Sequence, residues 1–429
     1  MVTINISDGL NLHLISTNKF KTNMACLLIR RPLDRKEAAI NALIARILGR
    51  GCAKYPEYSK LVSQTEQMYG SNLDIQIIKK GEEQLIQFLI EYPPAQSKHL
   101  SSKASEFANW PGVSLEEALE LLKQVALRPM LQDAGFVLSV FEAEKSGLLS
   151  SILARKDDPA EYSRLRLIEE MCAPEAFAIP GYGYAEELDN LTPQACLSHY
   201  KNILKNSQLE CILVSGQDID ICEKVFRKTF PGLIARKPSA SAKLRPCAPL
   251  AARPPISLHE DATTSQGRLA MGYRASPPTN FYALMLANEV LGGPGISKLF
   301  RSIREERSLA YYVGSSLYRF KSILIVEAGV EPSAFTATAE LVSAELRSLS
   351  SGNISDSEFS SAKQGLIKRY EALKDSQSAL LDFCMSQYLL GDLSTINDTI
   401  RGIRALTPQE TAAAAHSLNL STTFTLGHI

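Results

Sequence analysis

The sequence of 429 residues lacks several features that mark particular classes of protein. It has no excess charge, since 46 lysines and arginines balance 46 aspartates and glutamates. This balance argues against global attraction to nucleic acid or to an anionic membrane surface. No window reaches about eighteen consecutive apolar residues, and the start, MVTINISDGLNL, has no basic stretch followed by an apolar one. We therefore expect neither a membrane span nor a signal peptide, and a cytoplasmic location.

Closely spaced metal ligands are also missing. No two of the six histidines lie three or four residues apart, and the eight cysteines include no C-x-x-C pair. The nearest approach to a cluster is His259-Glu260-Asp261, which we interpret as solvated polar residues. The cysteines are expected to be free and mostly buried thiols, because nothing in their spacing indicates a disulfide framework.

What the sequence does contain is a pattern that occurs twice. EKSGLLSSILARKD at 144–157 matches AKQGLIKRYEALKD at 362–375, Leu-Thr-Pro-Gln at 191–194 recurs at 406–409, and Gly216 after an apolar run corresponds to Gly427. Landmarks in one order at a nearly constant shift of about 210 to 220 positions indicate duplicated domains. We predict a first domain at 1–235, a proline-rich linker at 236–255 and a second domain at 256–429.

Each half mixes strand patterns with helix patterns. In the first half, alternating apolar residues predict strands at 10–15, 24–29, 73–78, 84–91 and 209–214. Helical periodicity predicts helices at 37–48, 58–69, 115–125, 137–155, 160–171 and 193–203. Strands that are segregated from helix hairpins predict the α+β fold class, with two tandem homologous α/β sandwich domains.

The clearest functional signal is LGGPGISKLFRSIREERSLAYYV at 291–313. After three glycines, apolar residues at helical spacing predict an amphipathic helix: Ile296, Leu299, Phe300 and Ile303. Alternating residues then predict a half-buried strand: Leu309, Tyr311 and Val313. Arg304 near the helix end and Tyr311 in the next element are therefore candidates to converge on one cleft. The alternative is an exposed helix charge and an ordinary strand aromatic.

These residues resemble the second-domain signature of the insulinase/pitrilysin metallopeptidase family, which includes mitochondrial processing peptidase. The resemblance rests on Gly292-Gly293, Ser297-Lys298-Leu299-Phe300, Arg304 and Leu309-Ala310-Tyr311, and in the first half on Gly51, Ala53-Lys54-Tyr55-Pro56 and residues 142–159. Ser308 stands where the family usually has glycine. The resemblance runs through essentially the whole chain and implies the two-domain metallohydrolase fold of that family.

The family binds zinc through H-x-x-E-H on a first-domain helix, where two histidines hold the metal and the glutamate deprotonates water. The aligned positions here are Ala42, Ala45 and Arg46, and the distal glutamate ligand is replaced by Ser151. Apolar and small-residue stripes on this helix suit it for packing. The resemblance therefore implies a chain with no metal, no cofactor and no catalytic residues of its own.

In active relatives, the arginine and tyrosine that match Arg304 and Tyr311 reach the substrate at the zinc site. The resemblance thus implies a bacterial, non-catalytic subunit that binds peptide and completes the active site of a zinc-bearing partner. Similar companions include proteins associated with aminopentanol modification of elongation factor P. Two alternatives remain: a scaffold with no role in peptide cleavage, and an independent enzyme, either a zinc peptidase with unorthodox ligands or a thiol hydrolase that uses Cys52 or another cysteine.

Overall fold

The computed structural model describes residues 1–95, 111–236, 254–262, 266–277 and 280–428. The chain divides into two compact units. Unit 1 consists of Met1–Leu153 with Ile179–Leu244, and unit 2 of Ala154–Ala178 with Arg245–Ile429. Apart from its ends, the predicted linker at 236–255 lies outside the described residues.

The first part of the chain contains eight strands and eight α-helices within the described ranges. They are β1 (Val2–Ser7), β2 (Leu10–Ser16), β3 (Asn23–Pro32), α1 (Arg35–Leu48), α2 (Tyr58–Gln67), β4 (Asn72–Lys80), β5 (Glu83–Tyr92), α3 (Leu115–Leu127), β6 (Leu131–Gln132), β7 (Gly135–Phe136), α4 (Leu138–Leu153), α5 (Pro159–Met171), α6 (Pro193–Asn206), β8 (Gln208–Ser215), α7 (Ile219–Thr229) and α8 (Pro231–Ile234). Short 3-10 turns lie at Ala154–Asp157, Ala176–Ala178 and Ala185–Leu188.

The main sheet of unit 1 has six strands in the order β1-β2-β8-β3-β5-β4. Its apolar face forms because Leu10, Leu12 and Leu14 alternate along β2, as the sequence predicts, and all three are buried in the core. Helix α1 packs into the same core. It begins at Arg35, where the Asp34 side chain accepts a hydrogen bond from the Lys36 backbone N–H.

The remaining chain completes unit 2. Its elements are β9 (Ile256–Glu260), β10 (Gly267–Ala275), α9 (Phe281–Gly292), a π-helix (Phe300–Glu305), β11 (Ala310–Tyr318), β12 (Ile323–Val330), α10 (Phe335–Ser350), α11 (Asp356–Ala372), α12 (Gln377–Leu389), α13 (Ile396–Ala405), α14 (Pro408–His416) and β13 (Leu418–Leu426), with 3-10 turns at Pro332–Ala334 and Leu373–Asp375. The five-stranded sheet has the order β11-β12-β10-β13-β9. The predicted α+β class is confirmed.

Helix α5 is part of unit 2, although the predicted boundaries put residues 1–235 in one domain. The cause is packing, because Leu167, Ile168 and Met171 share a buried cluster with side chains of β10, β12 and β13. Gly272 of β10 leaves room for this contact, since a Cβ there would lie 2.5 Å from the Met171 sulfur.

Polar contacts fix the same helix to unit 2. Glu260 accepts hydrogen bonds from the Tyr162 hydroxyl at 2.7 Å and from Arg166 Nε at 2.8 Å. Arg274 donates to the Met171 carbonyl at 2.8 Å. Glu260 is therefore held by ion pairing and hydrogen bonding, which corrects its interpretation as a simply solvated residue.

The repeated sequence landmarks correspond to matching elements. Helices α4 and α11 each lead into a 3-10 turn, and α6 and α14 each begin with proline after a threonine whose side chain caps the helix. Strands β8 and β13 follow α6 and α14. Strand β1 and helix α7 are two elements that the sequence patterns did not predict. Of the helices in the described ranges, not one combines the length and apolarity needed to cross a bilayer.

Candidate functional site

Arg304 lies in a π-helix, in which the backbone makes wider turns than in an α-helix. The N–H of Glu306 donates to the Arg301 carbonyl at 2.9 Å, five residues back. Such segments are rare and occur frequently at functional sites. The sequence predicted an ordinary amphipathic helix that includes Ile296 in its apolar stripe. That detail is wrong, because Ile296 lies in the preceding bend and is 70% exposed, whereas Leu299 and Ile303 are buried.

The π-helix is anchored by a buried acid on α11. Glu358 accepts from Arg301 at 2.8 Å and lies 3.4 Å from the ammonium nitrogen of Lys298. Burial by itself raises the pKa of Glu358, but hydrogen bonding to Ser355 and the charges of Lys298 and Arg301 outweigh burial, so the pKa is lowered. This ionised carboxylate holds the turn that carries Arg304.

Arg304 projects beside Phe300, with its guanidinium carbon 5.1 Å from the ring centroid. It is exposed and forms no ion pair with a carboxylate in the described part of the chain. Its donors are therefore available to a ligand.

Tyr311 lies at a second backbone irregularity. The register between β11 and β12 shifts between Ala310 and Tyr312, so Tyr311 is the unpaired residue of a bulge. A bulge redirects side chains, and Tyr311 is 65% exposed rather than half-buried as predicted. Its hydroxyl is 3.4 Å from a Glu331 carboxylate oxygen. Tyr312 is the half-buried tyrosine, and burial raises its pKa.

Ser308 lies between the π-helix and the bulge with φ of 53°. This is the left-handed region, which favours glycine. Three consecutive features thus depart from regular backbone geometry between Phe300 and Tyr312. Arg304 and Tyr311 do not hydrogen-bond to each other in the described structure, and both side chains are exposed to solvent.

In unit 1, the structure brings together two of the four residues that the resemblance aligns with zinc ligands or the catalytic glutamate. Arg46 donates through Nε to Glu144 at 2.9 Å, and its Nη1 lies 3.5 Å from the Ser151 hydroxyl. Arg50 also donates to Glu144, at 2.5 Å. Ala42 and Ala45 are buried in the helix core.

Glu144 and Arg50 were not identified from the sequence. Arg50 follows Arg46 by one helical turn, and Glu144 precedes Ser151 by two turns on α4. These helical spacings place Arg50 on the same face as Arg46, and Glu144 on the same face as Ser151, which is the sequence signal for this cluster of four residues.

These residues do not fit zinc. The alanines carry no ligand atom, Arg46 carries a permanent positive charge, and the Ser151 hydroxyl donates to the Gly147 carbonyl at 2.8 Å. Across the described ranges, no group of three or more histidine, cysteine, aspartate or glutamate side chains is arranged to hold a metal ion. The donor set therefore argues against a metal at this position.

The surroundings of three buried cysteines do not activate their thiols as nucleophiles. Burial raises the pKa of Cys52, and it raises the pKa of Cys26 and of Cys196 to about 12. A nucleophilic cysteine needs its thiolate form near neutral pH. These three thiols therefore do not support the thiol hydrolase alternative.

The fold thus has two α/β units, and the positions that the resemblance aligns with zinc ligands carry alanine, arginine and serine side chains. The profile of the family described as "Peptidase M16 inactive domain" matches residues 190–366. The "Probable inactive metalloprotease YmfF" of Bacillus subtilis (strain 168) is 27% identical over 427 residues, covering 97% of this chain and 96% of that protein.

Solved structures show the same fold. A conserved protein from Enterococcus faecalis V583 aligns with a TM-score of 0.87 at 23% identity and covers 100% of this chain and 98% of that chain. A peptidase M16 inactive domain from Pseudomonas fluorescens aligns with a TM-score of 0.78 at 17% identity, with the same coverage. The resemblance to insulinase-type peptidases is confirmed, because the chain is similar to the M16 inactive-domain family and to a relative that is named a probable inactive metalloprotease.

Proposed function

We propose that this chain is the non-catalytic subunit of a heterodimeric zinc peptidase. It binds peptide and supplies Arg304 and Tyr311 to the active site of a zinc-bearing partner of the same family. The observation that carries the proposal is the exposure of both side chains on irregular backbone, a π-helix for Arg304 and a bulge for Tyr311.

These irregularities are hard to explain by packing alone. A π-helix and a left-handed Ser308 each cost conformational energy, and neither buries the side chain of Arg304 or Tyr311. Function is a physical reason to retain such backbone, because it fixes where a side chain points.

The chemistry of the two groups suits peptide cleavage. A guanidinium and a phenol are hydrogen-bond donors, and donors at the scissile carbonyl stabilise the negative charge that develops on its oxygen. Arg304 has no carboxylate partner to compete for its N–H groups in the described chain. Zinc and the water-activating glutamate belong to the partner in this arrangement, and the peptide is the shared substrate.

The test is reconstitution with a zinc-bearing relative from the same genome, followed by cleavage of a fluorogenic peptide library. We expect cleavage only in the mixture, and Arg304→Ala or Tyr311→Phe should lower kcat by about 100-fold or more. Two matched controls are available nearby. Arg307→Ala removes another exposed arginine, and Tyr312→Phe removes the adjacent hydroxyl.

Complex formation must be measured in parallel, by co-purification of the two subunits. If the Arg304 and Tyr311 variants bind the partner and the mixture cleaves peptide normally, the residues have no catalytic role. If loss of partner binding leaves peptide cleavage unaffected, the scaffold alternative is favoured. We place the complex in the cytoplasm, with no nucleic acid or membrane partner, on the balanced charge of the chain. Cell fractionation of the tagged chain tests this location.

A further inference from the structure

The arginine pair in unit 1 carries more positive charge than its buried partner neutralises. Arg46 and Arg50 both donate to Glu144, whose side chain is only 7% exposed. Two guanidinium groups and one carboxylate leave a local charge of plus one. Ser151 and Gly147, which line the same place, are neutral.

Unit 2 provides an internal comparison. Ile47-Leu48-Gly49 matches Val290-Leu291-Gly292, so Arg46 corresponds to Glu289, and the repeat of 144–157 at 362–375 makes Ser151 correspond to Arg369. The structure pairs these counterparts, because Arg369 Nη1 donates to Glu289 at 2.8 Å.

The matching glycines lie next to the paired residue of the first helix in both units. A Cβ on Gly147 would lie 2.7 Å from Arg46 Nη2, and a Cβ on its counterpart Gly365 would lie 3.7 Å from Glu289. In both units, an ion pair thus joins the two helices beside a glycine of the second helix. The arginine of the pair is on the first helix in unit 1 and on the second helix in unit 2, and the partners on the second helix lie at different repeat positions, because Glu144 corresponds to Ala362.

One arginine and one carboxylate are sufficient for this bridge in unit 2. Arg50 corresponds to Gly293 there, which has no side chain. Arg50 is therefore additional to the single arginine–carboxylate bridge that unit 2 makes.

Arg50 has donors left for a ligand. Its Nε is used by Glu144, and its guanidinium lies 5.4 Å from the Tyr58 ring centroid. The two terminal nitrogens hydrogen-bond to no oxygen in the described chain, and the side chain is 45% exposed. Arg46 beside it is 35% exposed. Planar guanidinium groups with free N–H donors bind carboxylates through paired hydrogen bonds.

We propose that Arg50, together with Arg46, binds a carboxylate of the peptide at the position where active relatives hold zinc. This inference rests on the proposed peptide-binding function and names the chemistry that unit 1 selects. The carboxylate is either the free C-terminus of the peptide or an acidic side chain. In active relatives, the metal at this position polarises a carbonyl group. Here the net positive charge of Arg46, Arg50 and Glu144 would attract an anion instead.

The experiment measures binding of three fluorescein-labelled pools of random octapeptides to the full chain at low salt. One pool lacks acids and ends in a free carboxylate, the second is the same pool amidated, and the third is amidated with one internal aspartate. We expect one of the two anionic pools to bind about tenfold more tightly than the neutral pool. Preference for the first pool identifies the C-terminus, and preference for the third an acidic side chain.

Arg50→Gln should remove this tenfold preference and leave binding of the neutral pool unchanged, because the Arg46 bridge to Glu144 remains. Arg227→Gln is the matched control in unit 1, since Arg227 is 41% exposed and is also paired with a glutamate. Equal binding of all three pools, or a preference that survives Arg50→Gln, would overturn the carboxylate site while leaving peptide binding intact.

A smaller probe distinguishes failure of the carboxylate site at Arg50 from failure of the proposed peptide-binding function. N-acetylalanine should raise the melting temperature of the wild-type chain but not of the Arg50→Gln variant, and N-acetylalaninamide should raise neither. If no octapeptide pool binds and N-acetylalanine still acts through Arg50, the peptide-binding function is wrong and the carboxylate site stands. If N-acetylalanine has no effect either, both are wrong.

Discussion

Removing both arginines from Glu144 should destabilise the chain far more than the two single changes together. In Arg46→Met, Glu144 keeps its 2.5 Å hydrogen bond from Arg50, and in Arg50→Met it keeps the 2.9 Å bond from Arg46. Each single change therefore leaves the buried acid paired. The double change leaves a carboxylate that is almost inaccessible to water without either cation.

The magnitudes follow from this difference. A partly exposed ion pair contributes about 1 kcal/mol or less, so each single variant should lose roughly that amount. An uncompensated buried charge costs about 3–5 kcal/mol, which is the loss expected for Arg46→Met/Arg50→Met. Adding Glu144→Met should restore stability to within about 1 kcal/mol of wild type, because an apolar trio of similar volume needs no partner.

Urea unfolding followed by circular dichroism measures these differences, and thermal unfolding gives an independent readout. For a unit of about 200 residues, 1 kcal/mol corresponds to roughly 2–4 °C in melting temperature. A double variant that loses only the sum of the two single losses would refute the reasoning. So would a triple variant that is no more stable than the double.

Three further predictions concern unit 2. Ser308→Gly should raise stability by about 0.5 kcal/mol, because relief of the left-handed φ of 53° exceeds the added chain entropy, and calorimetry tests this. Gly272→Val should cost about 1–3 kcal/mol by overpacking against Met171 and speed proteolysis within 154–178, and Met171→Ala in the same chain should reverse part of the loss. The pKa of Glu358 is lowered from its ordinary value of 4.5, so the stability that its carboxylate contributes is complete above pH 4.5 and is lost as the pH falls through the lowered pKa. The free energy of unfolding should therefore depend less on acidic pH in Glu358→Gln, which acid unfolding curves measure.

Much of the secondary structure could be predicted from the sequence, because periodicity and caps are local properties. The strand pattern of β2 and the threonine-proline start of α14 both identify their elements without tertiary information. That Ala42 and Ala45 bind no metal also needs no structure, since a side chain without a ligating atom cannot coordinate a metal in any fold.

The other features depend on contacts between distant segments or on backbone geometry. Tyr311 becomes exposed through a bulge in strand pairing, which alternation along one strand does not encode. The ion pair between Glu144 and Arg46 could not be predicted from the sequence, because it depends on the packing of α4 against α1. The apolar face of helix α5 does not specify the core against which it packs. Its membership of unit 2 is determined by contacts with strands β10, β12 and β13, which lie far along the chain.

The membership of α5 in unit 2 has a consequence for synthesis on the ribosome. This helix is complete at Met171, but β10, against which it packs, begins only at Gly267. At about 5–20 residues per second, translation leaves the apolar face of α5 without its sheet for several seconds. In that interval β8 can already pair with β2 and β3, whereas the strands that cover α5 have not yet been synthesised. A nascent chain that stalls in the linker would therefore present Leu167, Ile168 and Met171 to chaperones, and translation speed across residues 172–267 should affect the yield of folded protein.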